Sequence, residues 1–200
     1  MQQLYNMKMY FDNWNPPTSD NFRSLIEFDN GVPASFGCSF TEGVGVYADQ
    51  TFSFLLNVAN CGLNGASNDK ICRTAIEYCN KYIPKEIYVM WTFKNRREVI
   101  DDTGTFLKFK AFDPGSKKYR WHKASAELSN DYSDEYNYQK NRLLLNSFCE
   151  LKNINLYSTD VDCIENDKLG SDNAHPGVEW HEKVYNLFKK LNDYTATELS

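Results

Sequence analysis

The chain has 200 residues, 42% of them hydrophobic, and a formal net charge of −5 with a pI near 5.3. One domain with a sizeable core is expected at this length, and the acidic balance excludes a nucleic-acid protein held by phosphate contacts. No apolar run approaches membrane-spanning length.

The start, Met1-Gln2-Gln3-Leu4-Tyr5-Asn6-Met7-Lys8, has no basic stretch leading into an apolar core, so no secretory signal is read there. Six cysteines without a CxxC pair argue against a zinc ribbon and for buried thiols in a reducing setting. A cytoplasmic or virion-packaged protein is expected. The cluster Lys94-Asn95-Arg96-Arg97 is followed by Glu98, Asp101 and Asp102. It reads as a solvated loop.

Residues 1–30 carry Tyr5, Tyr10, Phe11, Trp14, Phe22 and Phe28 around Pro16-Pro17 without a clean period. They read as an irregular arm whose aromatics are expected to pack on the domain. Val32 to Phe36 is the first core strand, followed by the small-residue turn Gly37-Cys38-Ser39. Asp49 to Leu56 reads as a short helix and Asn57 to Asn60 as the second strand. Cys61 to Asn68 is a turn, and Ser67 or Asn68 caps a helix to about Lys81. Its apolar positions Ile71, Cys72, Ala75, Ile76 and Cys79 share one face.

Ile87 to Trp91 is a continuous apolar strand, as expected for burial on both faces. Strand, helix and strand at this spacing make a right-handed parallel unit. Residues 100–133 break the pattern. Thr105 to Phe112 alternates, Asp113-Pro114-Gly115-Ser116 turns, and Lys117 to His122 supplies a return strand, which together read as a hairpin or loop insertion. Asp134 to Lys152 is a helix with a buried stripe of Tyr138, Leu144, Leu145, Phe148 and Leu151. Ile154 to Ser158 is the next strand. The last helix runs from Gly177 to Leu191 with Val184, Leu187, Phe188 and Leu191 inward, and a polar tail frays from Asn192.

Three turns therefore gather at one edge of a parallel sheet, where such folds place their chemistry. Ser39 supplies a hydroxyl. His175 is a base for it, and Asp172, three residues earlier, is placed to hold the imidazole. The glycines of Gly62-Leu63-Asn64-Gly65 allow a backbone N–H to approach an oxyanion. Pro176 suits the first turn of the following helix.

These blocks resemble those of the SGNH (GDSL-type) hydrolases, in a divergent branch found in phage and bacterial genomes. Gly37-Cys38-Ser39-Phe40-Thr41 is similar to the family's first block. Asn60-Cys61-Gly62-Leu63-Asn64-Gly65 is similar to the second, and Asp172-Asn173-Ala174-His175-Pro176 to the fifth. The resemblance implies a three-layer α/β/α sandwich on a parallel sheet of order 2-1-3-4-5, flavodoxin-like in its connections. It implies Ser39 as nucleophile, His175 as base and Asp172 as orienter. Ser39 and Gly65 then form part of the oxyanion hole.

The sequence departs from the family at two places. Cys38 stands where the family has an Asp, which makes Cys38 itself an alternative nucleophile. The third block is replaced by Trp91 to Glu98, where Asn95 or Thr92 is the candidate for the remaining oxyanion donor. The expected reaction is hydrolysis of an O-acyl ester, such as an acetyl group on a carbohydrate, with no cofactor. The partner expected is a small-molecule or carbohydrate ester, with no nucleic acid and no membrane. The rival is a non-catalytic binding or virion module on the same fold. Gly43-Val44-Gly45-Val46-Tyr47-Ala48 fits the dinucleotide pattern by chance, and His122 and His181 are expected to pack. A zinc site from His175, His181 and Asp172 is the less favoured use of these residues.

Overall fold

The computed structural model describes residues 22–100, 106–109, 129–166 and 168–198. Four strands form one parallel sheet: β1 (Ala34–Gly37), β2 (Ala59–Gly62), β3 (Glu86–Trp91) and β6 (Asn155–Asp160), in the order β2-β1-β3-β6. Two further strands, β4 (Arg97–Ile100) and β5 (Phe106–Phe109), pair antiparallel in a separate sheet. The fold is an α/β sandwich. Helices α3 (Asn68–Tyr82) and α4 (Asp131–Lys152) cover one face, and the short α2 (Phe52–Leu55) with α5 (Val178–Glu198) covers the other. A single turn of helix, α1 (Ser39–Glu42), follows β1 directly.

The strand period of two explains the layers. From β1, Phe36 stacks edge-on against Tyr78 of α3, while Ser35 turns the other way and shares a hydrogen bond with Ser53 of α2 at 2.6 Å. In β3, Trp91 meets Tyr138 of α4, and Tyr88 meets Phe188 of α5. Ile87 through Trp91 are all buried, as the unbroken apolar run predicts. The starts of α3 and α4 are set locally. The Ser67 hydroxyl accepts the Lys70 N–H, and Asn130 accepts the Ser133 N–H while the Ser133 hydroxyl accepts the Asn130 N–H. Such caps stabilise by about 1 kcal/mol each.

Several expectations are corrected. The second strand begins at Ala59 rather than Asn57, because Asn57 is left-handed at φ 57° and closes the preceding turn. The buried stripe of α4 is Asp134, Tyr138, Asn141, Leu145 and Cys149; Leu144 and Leu151 are 52% and 84% exposed. Those two leucines lie roughly 100° from the buried line at 100° per residue. The last helix does not end at Leu191 but continues to Glu198.

The inserted hairpin opens earlier than expected, at Arg97, and contributes no strand to the parallel sheet, which has four among the described residues. Its basic residues are not simply solvated. Arg97 pairs with Asp134 at 2.5 Å and donates to Ser133, and Arg73 of α3 grips Glu98 at 3.0 Å. The expected return strand at Lys117 to His122, His122 itself and the aromatic arm before residue 22 lie outside the described residues.

The segment before β1 packs Phe28 edge-on against Tyr78 and Tyr82. It also reaches β2: the Ser24 hydroxyl accepts the Asn60 N–H at 2.9 Å, and the Gly62 N–H goes to the Asn60 side chain at 2.9 Å. Five cysteines are buried and Cys163 is exposed; none of the six is bridged. Burial pushes the Cys72 thiol up to about 12 and Cys149 up to about 11, and Cys61 and Cys79 are likewise raised. These are packing residues rather than nucleophiles. No described helix is long and apolar enough to cross a membrane.

Candidate active site

Ser39 is the first residue of α1, immediately beyond the carboxyl end of β1, and is 2% exposed. Two glycines let this helical turn sit so close to the sheet. A Cβ on Gly37 would fall 1.9 Å from the Thr41 hydroxyl, and one on Gly62 would fall 2.2 Å from the Glu42 backbone nitrogen. Neither has positive φ. Their requirement is close approach, not an unusual turn. Asn60 completes the seat by donating its side-chain amide to the Thr41 carbonyl at 2.9 Å. β1 and β2 are in register at Gly37 and Gly62, so both glycine turns leave the sheet at one level.

The other side comes from the loop between β6 and α5. Asp172 is held by three groups of its own turn. Oδ1 accepts the Ala174 N–H at 3.1 Å and the His175 N–H at 3.0 Å, and Oδ2 accepts His175 Nδ1–H at 2.5 Å. The His175 backbone bond, then its ring bond and the Ala174 bond, lower the Asp172 carboxyl to about 2. A carboxylate only accepts, so Nδ1 carries the proton of this bond. The ring rests edge-on against Phe40, with centroids 5.8 Å apart. Phe40, next in sequence to Ser39, also meets Trp180 and Phe93 edge-on at 5.5 and 6.3 Å. The structure thus brings the His175 ring against the residue that follows Ser39.

The other sequence-expected positions are distributed as follows. Gly65 is left-handed at φ 68° and buried in the turn after β2. Asn95 is exposed in the turn between β3 and β4, on a cleft of about 660 Å³ shared with Thr92, Tyr138, Arg142 and Asp160. Thr92 is buried and its hydroxyl accepts Arg96 Nη1 at 3.0 Å. Cys38 is fully buried as the residue before α1. His181 points into the core, where its Nδ1 accepts the Phe52 N–H at 3.3 Å and its ring stacks on Phe52. Among the described residues no group of three metal-ligating side chains forms. The Gly43–Ala48 pattern lies between α1 and a 3-10 turn at Ala48–Gln50, without the strand-to-helix context of a dinucleotide site.

Sequence reading missed the braces. Asn68 is buried at the start of α3 and acts as a surrogate peptide for the end of β3. Its Oδ1 accepts the Thr92 N–H at 2.9 Å and its Nδ2 donates to the Thr92 carbonyl at 3.1 Å. Its signal in the sequence is no more than an Asn beside the Ser67 cap. The aromatic hub at Phe40 was legible only as an aromatic beside the candidate serine.

No protein-family model matches the chain, and no curated protein matches it in sequence. It is similar to several solved structures. One is a psychrotrophic esterase from Pseudoalteromonas sp., inhibited by monoethylphosphonate, at 12% identity and TM-score 0.43, covering 84% of this chain and 100% of that one. A GDSL-like lipase from Bacteroides thetaiotaomicron matches at 14% identity and TM-score 0.40, over 95% and 98%. An acetylxylan esterase from Geobacillus stearothermophilus, in a catalytic mutant, matches at 12% identity and TM-score 0.39, over 81% and 94%.

Proposed function

We propose that the chain is a serine ester hydrolase using Ser39, His175 and Asp172. The observation that carries this is the Asp172–His175 hydrogen bond of 2.5 Å, made by a ring that lies against Phe40 beside Ser39. Asp172, ionised to about pH 2, keeps the proton on Nδ1 and stabilises the imidazolium that forms during turnover.

In the proposed reaction Ser39 Oγ forms a bond to the acyl carbon as its proton passes to His175 Nε2. The carbonyl oxygen takes up the negative charge. The backbone N–H of Ser39, which has no helical carbonyl to bond, is one donor to it. Gly65 supplies a second in this reading, with Asn95 as the candidate third. Collapse breaks the bond to the leaving alcohol, which takes the proton from His175. Water then gives its proton to His175 and hydrolyses the acyl-enzyme, releasing the acid and returning Ser39 to its hydroxyl form. A small O-acyl ester on a carbohydrate or similar alcohol is the substrate class proposed.

The test uses a nitrophenyl acetate assay with fluorophosphonate labelling, alongside Ser39→Ala and Cys38→Ala. Turnover and label are expected in the wild type and in Cys38→Ala, and absent from Ser39→Ala. Labelling that survives Ser39→Ala, or is lost only with Cys38→Ala, would overturn the assignment. Specific binding of an acylated saccharide without turnover would favour the non-catalytic reading.

A further inference from the structure

The segment Gly43-Val44-Gly45-Val46 has no part in the chemistry above, yet at Gly45 it touches the Asp172 turn backbone to backbone. The Gly45 carbonyl accepts the Ser171 N–H at 2.8 Å and the Ser171 hydroxyl at 2.9 Å. A Cβ on Gly45, whose φ is +92°, would stand 2.8 Å from Asp172 Oδ1. A Cβ on Gly170 would stand 2.5 Å from the Gly45 carbonyl oxygen. The two glycines therefore meet backbone to backbone, at a separation any other pair of residues would prevent. Arg23 locks the same loop. Its guanidinium donates to the Gly43 carbonyl at 2.5 Å and the Val46 carbonyl at 2.6 Å, as a two-pronged fork spanning Gly45. Gly43 begins the loop at φ +82°, closing α1 by donating its N–H to the Ser39 carbonyl.

We infer that Arg23, Gly45 and Ser171 are positioning residues that hold the Asp172–His175 pair in register with the Ser39 turn. The loop leaving α1 doubles as the support of the opposing turn, so Ser39 and His175 belong to one backbone frame rather than to two independent loops. The inference rests on the hydrolase reading for its kinetic consequence, but its geometric content stands apart from it. A displacement of about 1 Å at a catalytic base costs on the order of a hundredfold in rate. Gly45→Ala pushes in that direction, because a Cβ 2.8 Å from Asp172 Oδ1 makes the carboxylate give way and the residue keeps a φ of +92°.

Gly45→Ala, Ser171→Ala and wild type are compared by two measurements. One is the downfield proton resonance of His175 Nδ1–H, which reports the bond to Asp172 whether or not the protein turns over. The other is kcat/KM on nitrophenyl acetate across pH. Gly45→Ala, with an unchanged near-UV spectrum, is expected to lose the resonance and about a hundredfold in kcat/KM, mostly in kcat. Ser171→Ala removes one of two bonds to Gly45, and is expected to broaden the resonance and lower kcat several-fold. If Gly45→Ala does not fold, Ser171→Ala decides, and an unchanged resonance there overturns the inference. A folded Gly45→Ala with wild-type resonance and rate also overturns it. If the wild type shows no turnover while the resonance responds as expected, the positioning stands and the hydrolase reading falls.

Discussion

His181 gives the molecule an acid sensitivity whose size follows from its surroundings. The side chain is fully buried, its Nδ1 accepts the Phe52 N–H, and its Nε2 has no partner. Burial first, and then the charge of Arg23, lower its pKa from 6.5 to about 4. Protonation would place a second N–H against that of Phe52. In the unfolded chain His181 takes up its proton near pH 6.5, while in the folded chain it does so only near pH 4. The unfolded state thus binds more protons across that window, and stability falls as pH is lowered through it. At about 1.4 kcal/mol per pKa unit the full loss is about 3 kcal/mol, of which about 2 kcal/mol has gone by pH 5.

His181→Asn retains an acceptor near the Nδ1 position and removes the titration. Urea unfolding of both proteins at pH 7, 6 and 5 isolates the effect as the change in their stability difference, since the other titrating groups cancel. That difference is expected to move by about 2 kcal/mol in favour of Asn between pH 7 and pH 5. Parallel pH dependences for the two proteins would refute the assignment of a neutral, buried His181.

Gly62→Ala is expected to cost about 3 kcal/mol or more in urea unfolding, because its methyl meets the Glu42 backbone and not a yielding side chain. Asn68→Ala leaves the Thr92 N–H and carbonyl without their partner, and a loss of about 2–3 kcal/mol is expected in thermal or urea melts. Asp172→Asn is expected to lower kcat by about ten-thousandfold with little change in melting temperature, measured on nitrophenyl acetate. Asp172, lowered to about 2, stays ionised above about pH 3, so the acid limb of the wild-type profile is expected to report another group.

What was legible in the sequence was local. Ser67 announced the start of α3 because a cap is a bond within four residues, and the β3 run announced burial on both faces because sheet layers reward an unbroken apolar strand. The Asp172–His175 bond lies within one turn and was read from spacing. The inward face of α4 was not legible, since Asp134 and Asn141 are buried there by partners far along the chain: Arg97 and Asp69. Two charged residues at the start of β4, Arg97 and Glu98, looked like a loop for the same reason. Gly45 was read as half of a chance motif, because a glycine's reason is the atom opposite, here in residue 172.

The Ser24 bond to β2 has a consequence beyond holding the preceding segment. β2 is an outer strand, and the N–H groups of Asn60 and Gly62 would otherwise offer a ladder to any extended chain that drifted alongside. One is occupied by the Ser24 hydroxyl and the other by the Asn60 side chain. Two short polar side chains thus occupy the donors on this margin of the sheet, without a charge or a proline on the strand itself.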